Sequence, residues 1–313
     1  MTNDPAKAKF TPRDSGDMVS AIADFACGFS LEATRPTANE VAELAEFADA
    51  GTHVYVSAVS TRPSQDVIES AIRLRAAAFD PVPHVAVRMF STVTALDQFL
   101  AQLTGEAGVE RILVIAGDRD QPAGEFHSSI ELIDGGLLQR HGIREIGIAG
   151  YPEGHPRIAQ QDLDRLLMHK IAAAEATGMK AHIVTQLCFD AAAILRWIGR
   201  LREYGLEHPI RVGLAGPTNL AALLRYAHRC GVRASAQGLM RQSGLARDLF
   251  AMSMPDALVQ KLAQAHSDQH IGMVKPHFYS FGGLVRAARW ASAAAERRIT
   301  LESGLGFRIE PAA

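Results

Sequence analysis

Eight short apolar runs recur along the chain, each followed by a longer stretch rich in Ala, Leu and Arg. The runs are ACGFSLEAT (26–34), HVYVSAVS (53–60), HVAVRMF (84–90), RILVIAGD (111–118), EIGIAGYP (145–152), AHIVTQLCF (181–189), RVGLAG (211–216) and VKPHFYSF (274–281). They are continuously apolar rather than alternating, the pattern of parallel strands covered by helices. The stretches between them read as helices. In TANEVAELAEFADAG, Thr37 is placed as an N-cap with Glu40 three residues on and Gly51 as a stop. Stretches 64–79 and 94–108 follow the same logic, and further helices are expected over 158–178, 190–204, 218–230 and about 284–298.

Eight strand–helix units in one chain predict an α/β fold, a single closed (β/α)8 TIM barrel, with an open doubly wound sheet as the alternative topology. No Gly/Ser-rich or Pro-rich linker divides the chain. One barrel domain is expected over residues 26–300, after an N-terminal extension (1–25) and before a C-terminal tail (301–313). The long stretch 217–273 between strands seven and eight is expected to carry extra helices.

Composition narrows the function classes. A formal net charge of −2 argues against a nucleic-acid footprint or a polybasic membrane patch. The start of the sequence lacks the apolar core of a signal peptide, and no run approaches a membrane span. Cys27, Cys188 and Cys230 show no CxxC pairing, so a reduced, cytoplasmic setting is expected, with the thiols as small core residues. No HxH, HExxH or facing carboxylate pair suggests a metal, and GxGxxG, GxxxxGK[ST] and GxSxG are all missing.

In such barrels the active site is built at the carboxyl ends of the strands, which turns the strand list into a list of candidates. Glu32 lies inside an apolar strand, where a carboxylate must be paired, hydrogen-bonded or held neutral. It reads either as a general acid with a raised pKa or as a salt-bridge partner of Arg35 or Arg88. Asp118 closes VIAGD, where Gly117 permits close backbone approach; it faces the barrel mouth or serves as an ordinary loop residue. His84 follows Pro83 at the expected start of strand three and is placed low, away from the rim. The segment GYPEGHPR (150–157) is the rim of strand five, with Tyr151, Glu153 and His155 on one conformationally fixed loop. Gln186 is read as lying mid-strand, binding a ligand or bracing a neighbour. Lys170 reaches an anionic ligand or snorkels at the surface.

Taken in order, strand-one Glu32, AGD (116–118), GYPEGHP (150–156) and VTQLCFD (184–190) resemble the methylenetetrahydrofolate reductase family, over about residues 26–290. That resemblance implies an FAD-binding TIM barrel that reduces 5,10-methylenetetrahydrofolate to 5-methyltetrahydrofolate, or runs the reverse, as part of one-carbon metabolism and methionine biosynthesis. By position it implies Glu32 as the general acid and Asp118 as a carboxylate between flavin and folate. Gln186, Leu220 and Tyr279 fall on the substrate side. Ser57, His84, Gly117, Asp118, Tyr151, His155 and Lys170 fall on FAD. Two departures stand out. EATRPT (32–37) replaces the family's aromatic, proline-rich run after the acid, and Leu220 occupies the place of a stacking aromatic. NADH is therefore expected to be a poor or absent reductant, with another NAD(P)H or a protein as donor. The implied partners are the folate and that donor, with no nucleic acid and no membrane, in a homo-oligomer. The alternatives are a pterin-binding barrel without flavin and a non-catalytic flavin-binding paralogue.

Overall fold

The computed structural model describes residues 15–219, 221–223, 252–268 and 271–310. Seven strands come first: β1 (Ser30–Ala33), β2 (His53–Val56), β3 (Asp80–Ala86), β4 (Arg111–Ile115), β5 (Glu145–Gly150), β6 (Lys180–Thr185) and β7 (Ile210–Ala215). A two-residue antiparallel pair, β8 (Thr218–Asn219) with β9 (Met252–Ser253), precedes the last barrel strand, β10 (Val274–Tyr279). β1 pairs in parallel with both β2 and β10, so the eight strands close into a barrel and leave no edge. The expected (β/α)8 TIM barrel is the observed architecture.

Helices α1 (Ser15–Ala26), α2 (Ala38–Leu44), α3 (Gln65–Ala76), α4 (Val93–Ala107), α5 (Ser129–Asp134), α6 (Leu137–Arg140), α7 (Gln160–Ala176), α8 (Ala191–Glu203), α9 (Asp256–Ser267) and α10 (Leu284–Ala295) accompany the strands. A closing ribbon pairs β11 (Ile299–Leu301) with β12 (Phe307–Ile309). Among the described residues no helix is long and apolar enough to cross a membrane. The start of α2 is the capping box its sequence announces: Thr37 Oγ1 accepts from the Glu40 N–H, and the Thr37 N–H donates to Glu40 Oε2 at 2.9 Å. Between β7 and β10 the described residues contribute β8, β9 and α9.

The main core lies between sheet and helices. Leu31, Val54, Val85, Ile112, Ile148, Ile183, Val212 and Phe278 point outward from their strands and are fully buried against Leu74, Leu100, Trp197 and Trp290. Each such side chain contributes roughly 1.5–3 kcal/mol. Met18, Ile22 and Phe25 of α1 belong to the same cluster, as does Phe307 of β12. Gly150 faces Trp197; a Cβ there would stand 2.6 Å from the indole.

Inside the barrel the apolar layer is thin: Tyr55, Val82, Leu113 and Val184. Below it, the amino-terminal ends of β2–β7 carry a network of charges. Arg111 bridges Asp80 and Glu145, and Glu145 Oε1 lies 2.7 Å from His182 Nδ1, leaving His182 Nε2 to accept from the Tyr55 hydroxyl at 2.7 Å. His53 is held between two arginines, with Nδ1 2.7 Å from Arg211 Nη2 and Nε2 2.9 Å from Arg111 Nη1 and 3.5 Å from Asp80 Oδ2. A cleft of about 600 Å³ opens beside Arg75, Asp80, Arg111, Glu145 and Lys180, at the end of the barrel opposite the strand carboxyl termini.

The structure corrects several strand limits. β3 begins at Asp80, not His84, and runs through Pro81 and Pro83. The Asp80 N–H donates to Thr52 O on the β2 side. By alternation the two prolines turn their missing donors toward β4, where registered pairing begins only at His84. Those prolines therefore cost the ladder nothing, and His84 sits high in the barrel rather than low. β6 stops at Thr185, so Gln186 lies just past the strand instead of within it, and the run at 26–34 begins inside α1.

Candidate active site

Glu32 is the floor of the mouth. Its side chain is 14% exposed, and three strands supply its neighbours. Ser57, just past β2, donates its hydroxyl to Glu32 Oε1 at 2.5 Å. His277 of β10 places Nε2 3.4 Å from Oε2, and His84 of β3 places Nε2 3.5 Å from the same oxygen. The other His277 nitrogen meets Ser30 Oγ at 2.9 Å. Neither arginine expected as a salt-bridge partner is involved. Arg35 lies 3.8 Å from Asp66, and Arg88 donates Nε–H to the His127 carbonyl, bracing the loop after β4.

This setting runs against a resting Glu32 held neutral by a raised pKa, one of the two readings of its sequence position. Burial raises it, but His84, His277 and the Ser57 hydroxyl together outweigh burial and hold the carboxyl below its usual range. Burial pushes both imidazoles below theirs. Free of ligand, Glu32 is thus biased toward its ionised form by the Ser57 hydroxyl and the two imidazoles.

An aromatic wall stands on the β6–β7–β10 side. Tyr279 is level with Glu32 in the barrel register, and its hydroxyl donates to Thr185 O at 3.0 Å. Gly213 makes that pose possible: a Cβ there would stand 2.7 Å from the Tyr279 ring. Tyr279, Phe281 and Phe189 pack on Leu187, Ala215 and Leu223, a cluster separate from the main core. Gln186 Oε1 accepts from the Leu187 N–H at 2.9 Å, which leaves its amide N–H groups as donors at the rim.

The opposite side is built from the loops after β4 and β5. Gly117 has φ +96, and a Cβ there would meet that of Ala86 at 3.1 Å. Asp118 beside it is exposed. Tyr151 and His155 stand edge to face with centroids 5.2 Å apart, and His155 Nδ1 accepts from the Arg157 N–H. Arg157 also pairs with Asp120, tying the two loops together. Lys170 is half-buried on α7, and burial pushes its ammonium below the usual range. Leu220 lies outside the described residues. Among the described residues no group of three or more His, Cys, Asp or Glu side chains is placed to hold a metal ion.

The family model described as methylenetetrahydrofolate reductase matches residues 56–248, more than half of the chain. The chain belongs to the methylenetetrahydrofolate reductase family. Similar proteins include the 5,10-methylenetetrahydrofolate reductase of Pectobacterium carotovorum subsp. carotovorum, 32% identical over 137 residues that cover 43% of each chain. Methylenetetrahydrofolate reductase 2 of Saccharomyces cerevisiae is 31% identical over 129 residues, 39% of this chain and 21% of that protein. The 5,10-methylenetetrahydrofolate reductase of Salmonella typhimurium is 27% identical over 143 residues, 45% and 46% of the two chains. The matched part spans less than half the length of each of these relatives.

Within this reductase-family barrel, residue-by-residue reading missed His277, Ser30 and the aromatics Phe189 and Phe281. The signal for His277 was present: it stands two residues before Tyr279 on one strand, so both face the interior. Tyr55 and His182, which meet inside the barrel, were equally silent as isolated residues in apolar runs.

Proposed function

We propose that the protein interconverts 5,10-methylenetetrahydrofolate and 5-methyltetrahydrofolate with a bound FAD. The observation that carries this reading is the Glu32 cage: one carboxylate at the strand carboxyl ends, hydrogen-bonded by Ser57 and flanked by His84 and His277. Family membership supports it, and so does the donor set on the β3–β6 side of the mouth. That set fits a flavin nucleotide on two counts, the first of them at an atom that faces Glu32 without hydrogen-bonding it. His84 Nε2 is buried without a hydrogen-bond partner among the described residues, and Gly117 leaves a cradle that a Cβ would fill. Ser57, His84, Gly117, Tyr151, His155 and Lys170 would hold the cofactor, with Asp118 between it and the folate. When bound, FAD supplies hydride transfer that no side chain can perform.

The chain's own residues do the rest. Gln186 offers amide donors to the pterin edge, and Tyr279 bounds the pocket beside Glu32. Opening the methylene bridge requires a proton on a folate nitrogen, which Glu32 delivers. The carboxylate takes up that proton from solvent as the substrate enters, before the mouth is covered. A ring covering the mouth excludes water, adds to the burial term that raises Glu32, and so favours its protonated form. The donor side differs from the family pattern at Leu220, and we propose that NADH reduces the flavin poorly, with another donor in its place.

An anaerobic half-reaction tests this reading. Flavin absorbance near 450 nm is followed as 5-methyltetrahydrofolate, then separately NADH, is added. Bleaching by the folate with little or no bleaching by NADH is expected. A colourless protein that takes up no FAD would remove the flavin chemistry, and rapid reduction by NADH would remove the donor proposal.

A further inference from the structure

Phe281 stands two residues past β10 with φ +50. A bulky side chain in the left-handed region is uncommon and strained. Gly282 follows with φ +82, and the Gly283 N–H closes the turn on Ser280 O at 2.8 Å. Glycine at position 281 would take this turn without strain, yet the chain keeps an aromatic ring there. That ring lies nearly parallel to Tyr279, at 20° with centroids 6.3 Å apart. Tyr279 in turn is pinned by its bond to Thr185 O and by the space that Gly213 leaves. Phe281 is only half-buried, and it shares its cluster with Leu187, the residue whose N–H occupies the Gln186 carbonyl. A fixed aromatic shelf beside unspent amide donors suits a flat ring that carries acceptors along its edge.

We infer that Phe281 is the stacking face for the pterin ring of the folate, and that its side chain sets affinity for that ring. This rests on the proposed folate reading. Packing on Leu187, Ala215 and Leu223 and the contact with Tyr279 hold the ring in place next to the Gln186–Leu187 turn.

The test is calorimetric titration of the flavin-loaded protein and of F281L and F281Y. The probes are 5-methyltetrahydrofolate, 6-methyltetrahydropterin and p-aminobenzoylglutamate. F281L keeps its flavin and melting temperature while both pterin-bearing ligands bind ~3- to 10-fold more weakly. F281Y, which keeps the stack, binds like the native protein, and p-aminobenzoylglutamate is unaffected by either change. Native affinity in F281L overturns the inference, as does an equal loss for p-aminobenzoylglutamate. A loss of affinity that tracks a drop in melting temperature in both variants assigns Phe281 to structure alone and overturns it too. If the native protein binds none of the three ligands, the folate reading fails and takes the inference with it.

Discussion

Ser57 Oγ and Glu32 Oε1 are 2.5 Å apart, joining the carboxyl ends of two adjacent strands through one hydrogen bond to a carboxylate. Such charge-assisted bonds are shorter and stronger than neutral ones. This one favours the ionised form of Glu32. Ser57→Ala is therefore expected to raise the Glu32 pKa, since the bond favours the charged form. The pH profile of flavin bleaching by 5-methyltetrahydrofolate should move upward, with flavin content as the control for lost cofactor contacts. An unmoved profile would separate the hydroxyl from the chemistry.

Glu32→Gln keeps the shape and removes the proposed proton carrier. Flavin content should stay near native while folate turnover falls by on the order of 100-fold or more. Turnover close to native would take Glu32 out of the mechanism.

At the other end of the barrel, burial holds His53 down to about 3 from its usual 6.5, helped by Arg211 and Arg111. The folded state thus resists a proton that the unfolded chain accepts. Stability is full above pH 6.5 and drains as pH falls from 6.5 toward 3. His84, His182 and His277 are depressed in the same sense, also by burial. His53→Gln can still accept from an arginine at this position without titrating. Urea midpoints measured between pH 7 and pH 4 should fall less steeply for this variant. Parallel slopes would contradict the assignment.

Arg111 joins Asp80 and Glu145, and Arg111→Ala strands both carboxylates beneath the barrel layer. A loss of roughly 3 kcal/mol is expected in denaturant unfolding. The Arg298–Glu296 pair, whose Glu296 is 55% exposed, is the contrast: Arg298→Ala should change stability by about 1 kcal/mol at most. Equal effects at both sites would show that the floor network is not truly desolvated.

Gly213→Ala puts a methyl 2.4 Å from Thr185 O and 2.7 Å from the Tyr279 ring. Overpacking of this kind costs about 1–3 kcal/mol. Melting temperature and folate affinity should fall together, because the displaced ring lines the mouth. A variant that melts lower but binds folate normally would mean Tyr279 does not contact the substrate.

Much of the fold was legible in the residues. Continuous apolar runs separated by helix-length stretches lead to a closed parallel barrel, and the Thr37–Glu40 box marks its helix to the residue. The rim loop at Tyr151–His155 and the interior placement of Glu32 were legible for the same reason: strand ends follow from local pattern. Strand three was misread because Pro83 looks like a strand start. Whether a proline harms a ladder depends on which neighbour its missing N–H faces, and that is settled by pairing register.

Sequence alone determined the alternation of elements and the order of rim residues, since every strand of a parallel barrel delivers its carboxyl end to the same face. Only the tertiary structure decided the charge of Glu32. Its neighbours His84 and His277 arrive from strands 52 and 245 positions away, brought close by barrel closure between β1 and β10. Coulomb energy and desolvation depend on distance in space, not along the chain. The residue that reads in isolation as either a raised-pKa acid or a salt-bridge partner is held below the usual carboxylate range once the barrel closes around it.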